Sequence, residues 1–365
     1  MNKTIKILMA GTLVAGMAGM GMAQDRPVVR MSSPNIRDLQ LRGRVQAQVG
    51  FVDTDNDEGG GSYSTMELRR VRMGMRGTLF QTVRAQLEAN LVPGSDLSMR
   101  SAFLEWREHK PAYIKLGLDK PVFGFEENTS SASILTVERT LIGNTLVPGA
   151  MNGLSLSGGV DMLSYSAGVY TGYANRNEDG EDDYLINVSA GLKLDDMVGD
   201  AKLRLRADYI NNGDDNAYSG RDDAMAASVH FAIGRFDVRG EYMTASKSDS
   251  DISGYYVMPS FFVTDKLQAV LRFEGAESDD AKGLRAPSRY ARRVDVLASR
   301  SATDDTPAVD PQRGDDYMAA YVGMNYYFAG DNHKLMAGVE VAELDNTDAG
   351  KLSMTTAYTA WRMLF

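Results

Sequence analysis

From about Ile36 to Phe365 the sequence runs in sixteen stretches of roughly ten residues in which apolar and polar side chains alternate. Alternation with period two marks a strand whose two faces meet different surroundings. The gaps between the stretches are alternately long and short. The long ones span residues 53–64, 92–96, 120–151, 174–183, 212–222, 246–252, 278–315 and 344–350. Between them fall short ones such as 81–82, 233–235, 263–266 and 329–332. Tilted strands of about ten residues, joined by short turns on one side of a bilayer and longer loops on the other, make a transmembrane β-barrel. An error of one strand in the count breaks the order of the gaps, and the order holds along the chain. The expected fold is therefore all-β, a 16-stranded antiparallel transmembrane β-barrel over residues 36–365.

The first residues are excluded from that fold. Lys3 and Lys6 precede an apolar run, residues 7–22, and the small residues Gly21 and Ala23 suit a signal peptidase. Residues 1–23 read as a secretory signal peptide cut before Gln24, and residues 24–35 as a short periplasmic segment. The chain has no cysteine, hence neither a disulfide framework nor a lipid-anchor thiol. No later window supplies the roughly 18 apolar residues of a transmembrane helix. A barrel reconciles this with a membrane, because only every second strand residue has to suit lipid. After cleavage 37 basic residues face 49 acidic ones. Much of the acid sits in the proposed outer loops, at Asp53, Asp55, Asp57 and Glu58, and at Glu178, Asp179, Glu181, Asp182 and Asp183. Two readings fit these runs: solvated loop tips, or carboxylates bridged by divalent cations to lipopolysaccharide.

Alternation also assigns sides. An Arg or Lys facing lipid at mid-membrane costs roughly 2–4 kcal/mol, so strand arginines are expected to point inward. The first strand then turns Leu39, Leu41, Val45, Ala47 and Val49 to lipid, and Gln40, Arg42, Arg44, Gln46 and Gln48 to the lumen. The second turns Val71, Met73, Met75 and Leu79 outward and Arg70, Arg72 and Arg76 inward, with Arg69 near the outer rim; the third adds Arg84, Gln86, Glu88 and Asn90 to the lumen. Lys115, Arg204, Arg206, Arg239, Arg272 and Arg362 share the inward parity, as do Glu105, Asp208, Asp237, Glu241, Glu274 and Glu340. Six arginines on the first three strands, Arg42, Arg44, Arg70, Arg72, Arg76 and Arg84, face one carboxylate, Glu88. Such a stripe raises the local anion concentration, unless the arginines serve to fill and hydrogen-bond a wet interior.

Aromatic residues agree with the geometry. Trp106, Tyr326, Phe328, Trp361 and Phe365 lie near the proposed periplasmic strand ends, where a headgroup-level belt belongs. The closing TAWRMLF places Trp361, Met363 and Phe365 on one face. It resembles the terminus by which barrel assembly machinery recognises outer-membrane clients.

One gap breaks the rhythm. Residues 120–151, KPVFGFEENTSSASILTVERTLIGNTLVPGAM, are too many for a turn and too apolar for a solvated tip, since Val122, Phe123, Phe125, Ile134, Leu135 and Val137 need cover. As the third outer loop this segment is expected to fold inward, with a short helix over residues 130–141 capped by Thr129, Ser130 or Ser131. Lys120, Glu126, Glu127, Glu138 and Arg139 would then stand opposite the arginine wall across a constriction. The competing reading packs the loop at a subunit interface or under the rim. The longest gap, 278–315, carries Arg285, Arg289, Arg292, Arg293 and Arg300, either as a basic helix over the mouth or as a surface helix paired with acidic neighbours.

In these segments the chain resembles the phosphate-selective porins O and P. The resemblance rests on RRVRMGMRG from Arg69, on KLGLDKPVFGFEENTSS through VERTL from Lys115, on VPGAMNGLSLSG from Val147, and on AYVGMNYYF from Ala320. It implies a sixteen-stranded trimeric porin with an inward third loop and an arginine-lined anion path, which Arg70, Arg72 and Arg76 fit, as Ser130, Ser131, Glu138 and Arg139 fit the loop. Near the constriction, where the resemblance implies a dense lysine cluster, this chain has Lys115 and Lys120, with Glu126 and Glu127 close by.

The expected function is an outer-membrane porin of a Gram-negative bacterium, passing small anionic solutes such as phosphate by passive diffusion. The alternatives are a general non-selective porin and a non-channel structural or adhesive barrel. Outer-membrane lipid, lipopolysaccharide, the solutes, the assembly machinery and two further copies of the chain are the expected partners, with no nucleic acid. Catalysis is not expected: of three histidines, His109 and His333 fall in turns and His230 faces the lumen, none beside a plausible serine nucleophile. No metal-ligand spacing is present, and neither a metal nor a cofactor is expected.

Overall fold

The computed structural model describes residues 35–56, 59–109, 111–173, 184–212, 221–247, 250–280, 283–286, 290–294, 310, 312–346 and 350–365. The expected signal peptide, nearly all of segment 24–35, the acidic runs at 57–58 and 178–183, Arg289 and Arg300 lie outside the described residues.

Sixteen strands close into one antiparallel barrel. The first half of the wall is β1 (Ile36–Asp55), β2 (Gly61–Leu79), β3 (Val83–Asn90), β4 (Ser98–His109), β5 (Ala112–Asp119), β6 (Met151–Val160), β7 (Leu163–Tyr173) and β8 (Tyr184–Lys193). The second half is β9 (Ala201–Asn211), β10 (Asp223–Ile233), β11 (Phe236–Lys247), β12 (Ser250–Phe262), β13 (Leu267–Ser278), β16 (Asp316–Tyr327), β17 (His333–Asn346) and β18 (Gly350–Leu364). Two short strands, β14 (Leu284–Arg285) and β15 (Arg313–Gly314), pair with each other in the connection between β13 and β16. Each barrel strand pairs with its neighbour in the chain, and β1 meets β18 from Arg44↔Leu364 to Asp55↔Ser353. Closure removes every free edge, which a lipid surround demands, since backbone groups there find no water.

The strand ends fall within two to three residues of the gaps read from the sequence. Tight turns occupy the short gaps: the β2–β3 link carries Phe80 and Gln81 at φ 47° and 69°, and Gly234 at φ 55° opens the β10–β11 link. Left-handed residues of this kind match the twist of the strands they join.

Alternation sorts the two faces as expected. Leu41, Met73, Met75, Leu87, Leu104 and Leu116 are exposed on the outer face, while Gln46, Gln48, Arg70, Ser101 and Glu105 are buried on the other. Register shifts interrupt the alternation at several points, and two of them involve Arg69 and Arg100. The β1–β2 register passes from Gln46↔Arg70 to Ala47↔Leu68, which leaves Arg69 unpaired. The β3–β4 register passes from Glu88↔Ser101 to Ala89↔Met99, which leaves Arg100 unpaired. A bulge inserts one residue and re-aims its side chain. Here each turns an arginine to the inner face against its parity.

The helix expected over residues 130–141 is not formed. Short helices lie on either side instead, at Phe125–Asn128 and Leu141–Leu146, the second capped by Thr140, whose hydroxyl accepts from the Gly143 amide at 3.3 Å. The reason is competition for carbonyls. Wall side chains donate to the carbonyls of Ile134, Leu135, Thr136, Val137 and Glu138, the groups that helical amides would otherwise use. Nor do the described basic residues of 278–315 share one helix. Arg285 belongs to β14 and Arg292 and Arg293 to a single 3₁₀ turn, Ala291–Arg293.

Candidate functional site

The long segment between β5 and β6 is tied to side chains from nine strands. On β1, Arg44 donates to Ser131 and, at 3.1 Å, to Ser130, while Gln48 donates to Glu138 at 2.9 Å. Arg69 on β2 pairs with Glu138 at 2.8 Å. Asn187 on β8 donates to the Val122 carbonyl at 3.0 Å. Asp208 on β9 accepts from the Gly124 amide, and Glu241 on β11 from those of Phe125 and Glu126. Arg272 on β13 reaches the Glu138 carbonyl at 2.9 Å, and Glu274 accepts from the Leu141 amide at 3.1 Å. Asn325 on β16, Lys334 on β17 and Arg362 on β18 donate to the carbonyls of Leu135, Ile134 and Val137 at 2.9, 3.1 and 2.8 Å.

Apolar packing completes the attachment. Phe123, Leu135, Val137, Leu141, Ile142 and Leu146 are buried in one cluster with Ala224, Ala226, Met243, Ala245, Ile252, Tyr256 and Met258 of β10–β12. Full burial of such a large side chain contributes roughly 1.5–3 kcal/mol. Sequence reading passed over this half of the wall. Its signal was present, because Met243, Ala245 and Met258 are apolar or small at inward parity, which a wet surface does not require.

The opposite side of the segment borders a polar cavity of about 660 Å3. Nine cationic side chains line it, Arg42, Arg44, Arg69, Arg70, Arg72, Arg100, Arg139, Lys115 and Lys120, against four carboxylates, Glu88, Asp96, Asp119 and Glu127. Part of this charge is paired: Arg72 with Glu88 at 3.7 Å, Lys115 with Asp119 at 2.7 Å, and both Lys120 and Arg139 with Glu127. Other partners are neutral, Arg44 using Ser130 and Ser131 and Arg70 the Gln46 amide oxygen at 2.8 Å. Burial lowers the Lys120 ammonium to about 8, against the pull of Glu127. Burial would raise the Glu138 carboxyl, but Arg69 and Gln48 hold it well below the usual carboxylate range. Glu127 is lowered too, Arg139 and then Lys120 outweighing burial.

Of the residues singled out in the sequence, Arg42, Arg44, Arg70, Arg72, Lys115, Lys120, Glu127 and Arg139 meet at this cavity. Arg76 lies 3.4 Å from the Gln40 amide oxygen, and Arg84 pairs with Glu105 at 3.8 Å. Arg206 pairs with Asp208 at 2.7 Å and Arg204 with Asp195 at 3.6 Å, on β9 and away from the cavity. Glu126 turns from it to accept from the Thr140 amide and hydroxyl, within 4.0 Å of Arg272. Glu138 joins Arg69 beside a second cavity of about 420 Å3, which Arg285, Arg292 and Tyr290 also line. Arg100 and the inward turn of Arg69 were missed; both depend on the bulges.

A closed barrel of sixteen antiparallel strands with an apolar outer face is the fold of solved outer-membrane porins. Residues 39–195 match the model of the family Phosphate-selective porin O and P, the family the sequence resembles. No curated protein matches the chain. Solved structures do. A loop L8 deletion mutant of OmpT, an outer membrane protein of Vibrio cholerae, superposes with a TM-score of 0.59 at 13% identity, over 90% of this chain and 99% of that one. In-vitro folded OmpT of Vibrio cholerae in its trimer form gives 0.58 at 13% identity, over 90% and 99%. The outer membrane channel DcaP of Acinetobacter baumannii gives 0.56 at 12% identity, over 93% and 100%. At these identities the likeness shows the fold.

Proposed function

We propose that this outer-membrane channel passes small anionic solutes such as phosphate by diffusion, through a lumen that the segment between β5 and β6 enters and narrows. The carrying observation is the excess of cations over carboxylates around the 660 Å3 cavity. Fixed positive charge facing water concentrates anions and excludes cations. Support for the inward course of the segment comes from its partners, which lie on β1, β2, β8, β9, β11, β13 and β16–β18. We further propose a homotrimer, in keeping with the trimer form of OmpT, and an export signal at residues 1–23.

A planar bilayer under a salt gradient tests the reading. Conductance steps with an anion-selective reversal potential are expected, and a cation-selective potential defeats the arginine wall. Phosphate added to the chloride-conducting channel is expected to reduce the current at millimolar levels, and its failure to do so removes phosphate from the proposal. A second reading, a channel without preference among small solutes, draws on the pairing of Arg72, Lys115, Lys120 and Arg139 with carboxylates. A reversal potential near zero selects it.

A further inference from the structure

The connection between β13 and β16 holds a side chain whose placement no feature of an arginine-lined channel requires. Tyr290 is fully buried, although it belongs to an outer connection that joins strands on the far side of the β1–β18 seam. Its ring lies against β1 at Gly50, where a Cβ would stand 2.5 Å from the ring carbons, so glycine is what admits it. The ring also lies 6.0 Å, centre to centre, from Tyr358 on β18. Its hydroxyl accepts from the Gln48 amide at 2.8 Å and lies 3.2 Å from a Glu67 carboxylate oxygen. The neighbours Leu284, Ala286 and Ala291 are fully buried with it.

The same Gln48 amide nitrogen also donates to Glu138 at 2.9 Å, and Glu138 pairs with Arg69. A continuous chain, Tyr290 to Gln48 to Glu138 to Arg69, therefore links the two outer connections across the inner face of β1. The second cavity, about 420 Å3, lies between them and is lined by Tyr290 together with Glu138, Arg139, Arg285 and Arg292. It shares Arg69, Arg139 and Asn144 with the larger cavity, so the two adjoin.

We propose that residues 283–286 and 290–294 form a second constriction element in series with the first, and that Tyr290, buried against β1, pins that element in place and so sets the upper size of solute the channel admits. This rests on the channel reading above. Arginines on the wall choose the sign of the solute; the element that Tyr290 pins limits its girth. Through Gln48, Tyr290 also steadies Glu138, which fixes the edge of the first constriction.

Three variants in the bilayer and in liposome swelling with neutral sugars of graded size test the proposal. Tyr290→Ala is expected to raise single-channel conductance roughly twofold and to admit larger sugars, because pore diameter governs both. Gly50→Ala is expected to do the same with Tyr290 still present, since the new methyl unseats the ring and releases the element it pins. The chain has no native cysteine, and Arg292 of the same element lines the second cavity, so in Arg292→Cys a bulky thiol reagent added from outside is expected to reduce the current as it reacts. Loss of heat-modifiable mobility on a gel identifies a variant that has not folded; if Tyr290→Ala fails there, the other two decide. Wild-type conductance and size limit in both Tyr290→Ala and Gly50→Ala overturn the role of Tyr290, and complete labelling of Arg292→Cys without a change in current overturns the second constriction. A wild-type protein without conductance steps defeats the channel reading itself, which separates the two failures.

Discussion

Replacing Arg44 with glutamine is the sharpest probe of the basic wall. Arg44 lines the large cavity and its guanidinium donates to neutral hydroxyls, those of Ser130 and Ser131. Glutamine keeps an amide donor for the serines and removes the charge. A unit charge at about 7 Å from an ion in water is worth about 0.6 kcal/mol, close to RT. It therefore enriches anions about threefold and depletes cations about threefold, and the anion-to-cation permeability ratio should fall roughly sevenfold in Arg44→Gln at low salt. Screening over about 10 Å at 0.1 M halves the energy, so the expected fall there is about threefold. The assay is the reversal potential of single channels under a fixed tenfold gradient of potassium chloride, repeated at several mean concentrations. The difference from wild type should shrink steadily as salt rises. An unchanged reversal potential at the lowest salt, with conductance intact, would falsify the reasoning: the guanidinium would then serve the loop alone, and the field would arise elsewhere.

Three further outcomes follow from the contacts. Lys120 has its ammonium lowered to about 8, so raising the pH from 7 to 9 removes a positive charge from the wall and should weaken anion preference. Lys120→Arg, which stays charged, should flatten that profile, and an equal pH response in both proteins counts against the assignment. The stability effect has the opposite sense: the folded value lies below the ordinary 10.5, so losing the proton between about 8 and 10.5 favours the folded state. Arg272 lies buried between Glu274 at 3.2 Å and Glu340 at 2.5 Å, and Arg272→Met should cost about 3–5 kcal/mol by stranding two carboxylates. Adding Glu274→Gln and Glu340→Gln to it should restore most of the melting temperature of the heat-modifiable form, and no recovery would show that the guanidinium acts through the loop. Arg362→Met removes the 2.8 Å bond to the Val137 carbonyl, about 1.5–3 kcal/mol for a charged donor, and should add flicker to the open-channel current; a current as quiet as wild type would mean the remaining anchors suffice.

Much of the barrel was legible because its cause is local. Lipid on one side and water on the other impose period two on each strand, and Leu41 against Arg42 or Met73 against Arg72 records it without reference to any neighbour. The gap at 120–151 was legible for the same reason, since Ile134, Leu135 and Val137 are apolar where a solvated tip would be polar. The bulges were not legible. Whether Arg69 or Arg100 turns inward depends on how β2 meets β1 and how β4 meets β3, and a single strand carries no record of that register. The secondary structure of residues 130–140 failed for a related reason: local propensity allowed a helix capped by Thr129, Ser130 or Ser131, but Arg272, Lys334 and Arg362 claim its carbonyls from strands far along the chain. Arg204 and Arg206 share inward parity with the wall arginines yet lie on β9, and parity names a face without saying which part of the circumference it occupies.

The carbonyls of residues 134–138 bear on how the protein comes into being. Their donors sit on β13, β16, β17 and β18, while the side chains of Ser130, Ser131 and Glu138 in the same segment answer to Arg44, Gln48 and Arg69 near the other end of the chain. No stretch of the sequence can shape this segment by itself, and contacts so distant along the chain form late. Anchors on β1 and β18 are brought to the segment together only when those two strands pair, so on the proposed channel reading a barrel held with that seam open is expected to conduct without selectivity.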